Sequence, residues 1–157
     1  AARTAAGRLA ARCGERVDDP RGGLTHLFPA PEALAGVAVA MPAARRRTLA
    51  ALVSALADGD VALDPGRDRE RALAALERLP GIGPWTSGIV AMRALGDPDA
   101  FVAGDLGVRR GAAALGLPPT PAALAERSKR WRPWRAYAVQ HLWAALDHPI
   151  NRWAQAA

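Results

Sequence analysis

The chain has 157 residues, of which 50% are apolar, so it can form one compact domain or two small lobes that share a core. This composition argues against disorder, and no run of about 18 apolar residues is present to span a membrane. The net charge of +6 suits a polyanionic partner such as nucleic acid, or equally reflects an arginine-rich genome.

Apolar residues recur at helical spacing along nearly the whole chain, and no useful strand-like alternation is present. Proline at first turns and glycine after last turns set the boundaries of these helices. The predicted helices are 1–13, 31–35, 45–58, 67–79, 84–95, 105–115, one that begins at 120–121, and 133–146. A loop is predicted at 19–30 and a turn at 64–66. The expected fold class is therefore all-α.

The number of cysteines and the spacing of the histidines limit which disulfides and metal sites the chain can form. Cys13 is the single cysteine, so an internal disulfide and a cysteine-ligated zinc or iron–sulfur site are excluded, and a reducing cytoplasm fits. His26, His141 and His148 lack the spacing of metal ligands, and His141 is interpreted as a packed core residue. No secretory signal is recognisable. Because a helix is already under way at Ala1, we expect the chain to be cut from a longer polypeptide.

The stretch LPGIGPWTSG, residues 79–88, places two prolines and two glycines between two helical patterns. Pro80 ends the first helix, Gly81 and Gly83 permit a close backbone approach, and Pro84 starts the second helix. Free N–H groups at such a helix end can bind a phosphate without reading base sequence. The alternative is an ordinary helix–turn–helix connection with glycine caps.

An acid and several tryptophans are the other candidates. Asp105 precedes the segment LGVRR, where it can be an N-cap, and that position also favours an ionised carboxylate. The chain has five tryptophans but two phenylalanines and one tyrosine, which is mild evidence for a stacking pocket, although core packing is the default interpretation of any one tryptophan. In the last helix Trp143 lies about 180° from Trp134, so it either packs on another helix or lines a cavity.

Several motifs in one order resemble a known family. They are LPGIGPWT (79–86), ALGDPDAF (94–101), Gly104-Asp105-Leu106 and WRPWRAYAVQHLW (131–143). Together they resemble the helix-hairpin-helix DNA glycosylases of the bacterial 3-methyladenine DNA glycosylase II (AlkA) type, most strongly over 76–143. The resemblance implies a helical bundle with two lobes flanking an active-site cleft. The expected lobes are 1–98, with the hairpin, and 99–157, with the catalytic acid and a pocket tryptophan.

The resemblance also implies roles for individual residues. Asp105 aligns with the catalytic aspartate of the family. The implied base pocket is Trp85, Ile89 and Trp143, and the implied phosphate-binding amides are those of Gly81, Gly83 and Thr86. The family hairpin often holds a structural Na⁺ or K⁺ ion, here on the backbone carbonyls of Glu77, Leu79 and Ile82. No catalytic cofactor is expected.

The implied activity is hydrolysis of the N-glycosidic bond of alkylated purines, 3-methyladenine and 7-methylguanine, in base excision repair. Related enzymes that also cut the strand carry a lysine where Trp85 stands, and Lys129 is the chain's single lysine. A monofunctional glycosylase without lyase activity is therefore expected. Its partner would be double-stranded DNA with alkylated bases. We expect a cytoplasmic, nucleoid-associated monomer without a membrane or protein partner.

The chain also departs from the family pattern. Ile89 stands where family members often have tyrosine, so the pocket is less aromatic. The resemblance leads us to expect that the family's N-terminal sheet subdomain and the beginning of its first bundle helix precede residue 1, together with the residue that wedges into the duplex. Three alternatives remain: a non-catalytic helix-hairpin-helix DNA-binding module, a glycosylase for oxidised or mismatched bases, and a helical interaction domain without nucleic acid.

Overall fold

A computed structural model describes residues 2–64, 66 and 68–146. Eight α-helices account for most of the described residues, and a 3₁₀-helix at Lys129–Trp131 follows the seventh. In chain order the helices are α1 (Ala2–Cys13), α2 (Pro31–Leu34), α3 (Ala43–Ala57), α4 (Arg69–Glu77), α5 (Pro84–Arg93), α6 (Leu106–Ala114), α7 (Pro121–Ser128) and α8 (Arg135–Ala144). The extended backbone pairing among the described residues is one isolated bridge between Arg16 and His26. The all-α prediction is therefore confirmed.

Most predicted helix boundaries lie within a few residues of the observed ones, because prolines and side-chain caps fix several starts. Pro84 begins α5, and Thr120 caps α7 by accepting a hydrogen bond from the backbone N–H of Ala123. The predicted turn at 64–66 and the predicted helix start at Arg67 involve Pro65 and Arg67, which lie outside the described residues, as does His148.

The chain divides into two compact units. One comprises the residues up to Ala62 together with Ala74–Gly81, and the other comprises Leu63–Leu73 and the residues from Ile82 onward. In the first unit α2 packs against α3. Its interior is formed by apolar side chains from α3, α4 and the segment after α3, namely Val53, Ala55, Val61, Ala75 and Leu76.

The second unit is built around contact between α6 and α8. Its core contains Val102, Val108, Ala112, Leu124, Val139 and Leu142. Gly111 of α6 faces the backbone of α8 so closely that a Cβ there would lie 1.8 Å from the carbonyl oxygen of Leu142. Any other residue at Gly111 would force the two helices apart. This close approach fixes the position of α8 on α6.

An ion pair anchors the first turn of α8. Arg135 donates from Nε to Oδ1 of Asp99 at 2.6 Å and from Nη2 to Oδ2 at 2.8 Å, and Arg132 donates to Oδ2 at 2.9 Å. The hydrogen bonds from Arg135 hold the pKa of Asp99 below its ordinary value, against an opposing effect of burial. The backbone N–H of Ala136 also donates to the carbonyl of Pro98 at 2.9 Å. Arg135 therefore makes a structural contact that holds the start of α8 on Asp99.

Two aromatic side chains at the start and in the middle of α8 are exposed. Trp134, the N-cap of α8, is 58% exposed and contacts Tyr137 edge to face. His141 was interpreted as packed, but it is exposed. The buried residues of α8 are instead Ala136, Val139 and Leu142, and Val139 and Leu142 belong to the core that α8 shares with α6.

Among the described helices, none has both the length and the apolar character needed to cross a lipid bilayer.

We expect the substitution Gly111→Ala to lower the free energy of unfolding by about 1–3 kcal/mol, because its methyl group would overlap a backbone carbonyl that cannot rotate away. Chemical denaturation monitored by circular dichroism would measure the change. Gly104→Ala is the matched control, since a Cβ at Gly104 would meet no described atom within 4 Å. Equal stability of the two variants would contradict the proposed close packing of α6 on α8.

Candidate active site

Asp105 is the N-cap of α6, so the backbone of this helix fixes the position of its carboxylate. The residue has extended backbone angles, φ −62° and ψ 130°, and its Oδ1 accepts a hydrogen bond from the backbone N–H of Val108 at 2.8 Å. The backbone N–H of Asp105 donates to the carbonyl of Val102 at 2.9 Å. The N-cap interpretation is therefore correct, and it leaves the other oxygen of the carboxylate available for further contacts.

Two indole N–H groups converge on this carboxylate. Nε1 of Trp143, from α8, donates to Oδ1 at 2.8 Å, and Nε1 of Trp85, from α5, donates to Oδ2 at 2.8 Å. Three helices, α5, α6 and α8, thus meet at Asp105. The structure brings together three of the residues that the sequence analysis assigned to the site, although they are up to 38 positions apart in sequence.

These contacts determine the charge state of Asp105. Burial raises the pKa of the carboxyl, but hydrogen bonds from Trp143, the backbone N–H of Val108, Trp85 and the backbone N–H of Gly107 together lower it below its ordinary value. All four donors stabilise the ionised form, and the N-terminal end of α6 adds a favourable dipole. Asp105 is consequently a fixed anion at neutral pH.

Gly107 makes this arrangement possible. A Cβ at Gly107 would lie 2.9 Å from both Cδ1 and Nε1 of Trp143 and 3.0 Å from Oδ1 of Asp105. Real Cβ atoms almost never lie as close as the first two of these distances, so a larger residue would displace either the indole or the carboxylate. The sequence analysis did not single out Gly107. Its position two residues after the candidate acid, in the first turn of the helix that the acid caps, is the signal that could have identified it.

The two tryptophans present different surfaces to solvent. Trp85 is 54% exposed, whereas Trp143 is partly buried and packs against the core of the second unit. The guanidinium of Arg93 lies over the ring of Trp143, 5.5 Å from its centroid, and Nη2 of Arg93 donates to Oε1 of Gln140 at 3.2 Å. Arg93 therefore helps to hold the plane of this indole.

Ile89 lies four residues after Trp85 in α5, so the two side chains share a face of this helix. It is partly buried and packs against the core of the second unit. Its position on this face is compatible with a pocket wall, and its chemistry is aliphatic rather than aromatic.

The predicted phosphate-binding residues lie around the start of α5. Gly81 has a φ of +86°, which favours glycine, and a Cβ there would lie 2.2 Å from Oγ1 of Thr48. Gly83 is the N-cap of α5, and Thr86 lies in the first turn of that helix. No side chain caps α5, whereas Asp105 caps α6 and Thr120 caps α7. The first amides of α5 are thus left without the side-chain acceptor that these two helices have.

The three residues proposed to bind a monovalent ion lie at the end of α4 and beyond it. Glu77 is the last residue of α4, the N–H of Leu79 donates to the carbonyl of Leu76 at 3.0 Å, and the side chain of Ile82 is buried. Within residues 2–64, 66 and 68–146, no group of three or more histidine, cysteine, aspartate or glutamate side chains could hold a metal ion.

Comparisons with known proteins agree with this geometry. No protein-family model matches the chain. The chain is 55% identical over 156 residues to the Mycobacterium tuberculosis protein named "Probable bifunctional transcriptional activator/DNA repair enzyme AlkA", an alignment that covers 98% of this chain and 32% of that protein. It is 34% identical over 142 residues to DNA-3-methyladenine glycosylase 2 of Escherichia coli, covering 87% of this chain and 48% of that protein. The chain is therefore homologous, over most of its length, to proteins named as AlkA and DNA-3-methyladenine glycosylase 2.

A solved structure supports this assignment. The 3-methyladenine DNA glycosylase Mag1 of Schizosaccharomyces pombe, in complex with abasic DNA, is 25% identical and superimposes with a TM-score of 0.66 over 74% of this chain and 63% of that chain. The chain spans about a third of the mycobacterial relative and about half of the Escherichia coli one.

We expect Trp143→Phe to raise the pKa of Asp105, because phenylalanine keeps an aromatic ring but removes the N–H donor that most lowers this pKa. NMR titration of the aspartate carboxyl carbon would measure the shift. Trp85→Phe should raise the pKa in the same direction, and Trp134→Phe is the matched control because Trp134 lies away from Asp105 in an exposed position. An unchanged pKa in Trp143→Phe would contradict the hydrogen bond.

Proposed function

We propose that the protein containing this chain is a monofunctional DNA glycosylase that hydrolyses the N-glycosidic bond of alkylated purines, 3-methyladenine and 7-methylguanine. One observation carries this proposal: the carboxylate of Asp105 is held between the indoles of Trp85 and Trp143 and is kept ionised by the hydrogen bonds that they donate. An anion and two aromatic faces at one point are what release of a cationic base requires.

In the proposed reaction the leaving base withdraws the bonding electrons, and C1′ of the sugar acquires oxocarbenium character. A fixed carboxylate beside C1′ stabilises this positive charge without reorganising. Asp105 also orients the attacking water and accepts its proton as the hydroxyl adds to C1′. An N-alkylated purine is already cationic and leaves readily, so protonation of the leaving group by a second acid is less necessary.

The base must leave the duplex to reach this carboxylate, which costs a few kcal/mol. Stacking on an indole face offsets part of this free energy. It also favours a cationic base over a neutral one by about 0.5–2 kcal/mol, depending on how far the base is desolvated. Trp85 is exposed enough to receive a base, and Arg93 already covers part of Trp143. We therefore propose that Trp85, Ile89 and the remaining surface of Trp143 form the walls of the base pocket.

The phosphate backbone of DNA would bind at the start of α5. The proposed donors are the backbone amides of Gly81, Gly83 and Thr86, at a helix end that no side chain caps. Such amides bind phosphate oxygens and carry no base information, which suits an enzyme that must act at any sequence. The solved complex of Mag1 with abasic DNA supports DNA as the partner.

A Na⁺ or K⁺ ion is proposed for the carbonyls of Glu77, Leu79 and Ile82. These donors are neutral oxygens, which suit a monovalent ion, and the carbonyl of Glu77 lies at the negative end of the α4 dipole. The ion would stiffen the hairpin backbone and would take no part in bond cleavage. We further propose that the enzyme acts as a monomer in the cytoplasm, on nucleoid DNA, without a catalytic cofactor.

We expect Asp105→Asn to reduce single-turnover release of 7-methylguanine from methylated DNA by orders of magnitude, because the amide cannot stabilise the cationic sugar. DNA affinity should change little. The measurement uses the full-length protein, and Asp60→Asn, an exposed aspartate in the first unit, is the control. A variant that releases the base at the normal rate would overturn the catalytic role of Asp105, whereas DNA binding without base release by the unchanged protein would favour a non-catalytic DNA-binding module. Faster release of 8-oxoguanine than of methylated bases by the unchanged protein would favour the oxidised-base alternative.

We expect no covalent protein–DNA adduct when the reaction is treated with borohydride, because Trp85 occupies the position where lyases carry their nucleophilic lysine. Gel electrophoresis of the treated mixture would detect an adduct, and the abasic product should be cleaved only after hot alkali. If an adduct forms and disappears in Lys129→Ala, the enzyme has a lyase step and the monofunctional assignment is wrong.

A further inference from the structure

A run of three arginines, Arg45 to Arg47, occupies the start of α3. All three are exposed, and α3 contains no acidic residue. The N-terminal end of a helix carries partial positive charge, so cations there are unfavourable for the folded helix. The proposed catalytic site does not use these residues. The stability of α3 therefore does not account for this run of arginines.

The three guanidiniums differ in what they contact. Nη1 of Arg46 donates to the carbonyl of Met41 at 2.8 Å, which turns this side chain back onto its own chain. The guanidinium groups of Arg45 and Arg47 make no hydrogen bond or ion pair with any residue in the described part of the chain. Two exposed, uncommitted positive charges remain.

These charges lie close to Gly81, one of the residues proposed to bind a DNA phosphate. Thr48 lies against Gly81 of the hairpin, since a Cβ on Gly81 would be 2.2 Å from its Oγ1. Arg45 precedes Thr48 by three positions, so their Cβ atoms are neighbours on the same side of α3, about 5–6 Å apart. Arg47 is adjacent to Thr48 and lies about 100° around the helix. Both arginines thus flank the point where α3 meets the hairpin.

We propose that Arg45 and Arg47 form a second DNA-backbone contact beside the hairpin, in which each guanidinium binds a phosphate oxygen pair. Arginine suits this role because its planar fork matches a phosphate and it remains charged at all relevant pH values. The contact would carry no sequence information and would lie beside Gly81, in the same unit as the two arginines. The proposal rests on DNA as the partner under the proposed function, but not on base release.

Salt dependence of DNA binding tests the proposal. Each phosphate contact contributes about 0.9 to the slope of log K against log salt concentration. The double variant Arg45→Gln/Arg47→Gln of the full-length protein should therefore lower the slope by about 2 on duplexes of any sequence. Arg8→Gln/Arg21→Gln removes the same charge from exposed positions in α1 and the following loop, and it should leave the slope nearly unchanged. The conservative variant Arg45→Lys/Arg47→Lys should keep a slope close to that of the unchanged protein.

Base-release kinetics separate this contact from catalysis. Under single-turnover conditions at saturating enzyme, Arg45→Gln/Arg47→Gln should release 7-methylguanine at the normal rate, whereas half-saturation should require more enzyme. A slope that is unchanged, or that falls equally in the Arg8→Gln/Arg21→Gln control, would overturn the proposal. If the unchanged protein binds DNA without releasing a base, and the arginine-dependent slope is still observed, the contact is supported and the proposed function fails.

Discussion

The second unit is organised around one interaction, a carboxylate whose two oxygens accept hydrogen bonds from two indole N–H groups. An anion in a partly buried position normally tends to be protonated, because burial disfavours its charge. In Asp105 four donors outweigh that effect, and the ionised form is retained. The donors come from α5, α6 and α8, so the carboxylate also constrains the tertiary arrangement. These helices can supply the donors only if each has the position and rotation that the others require.

Tryptophan meets two requirements at this site that no other aromatic side chain meets together. Its Nε1–H is a donor that cannot accept, so it stabilises an anion without competing for protons. Its two faces remain available for stacking while the ring edge is hydrogen-bonded. In Trp143 the edge contacts Asp105 and one face contacts Arg93, so several parts of one side chain are used. The chain has more tryptophans than phenylalanines and tyrosines together, and at two of the five positions, Trp85 and Trp143, the hydrogen bond to Asp105 explains why tryptophan is needed.

The sequence was sufficient for features that local chemistry determines, and insufficient for those that depend on tertiary contacts. Pro84 and Thr120 set helix starts within their own turn, and Asp105 was correctly interpreted as a cap. The meeting of Trp85 with Trp143 came from family resemblance, because helical periodicity placed Trp143 only on a face and named no neighbour. His141 was misjudged for the same reason. Its neighbours Leu142 and Trp143 suggested burial, but the side of α8 that is buried is decided by the close approach of α6.

That close approach links stability to the geometry of the site. Gly107 and Gly111 are four residues apart, so they lie on the same face of α6, and both face α8. At Gly111 the missing side chain admits the backbone of Leu142, and at Gly107 it admits the indole of the next residue, Trp143. The backbone contact sets the separation of the two helices, and this separation determines whether Nε1 of Trp143 reaches Oδ1 of Asp105. A side chain at Gly107 would disturb the hydrogen bond directly, whereas one at Gly111 would do so by moving α8 as a whole. The position of the candidate catalytic group is therefore a consequence of helix packing, and the two glycines specify it together with the indoles.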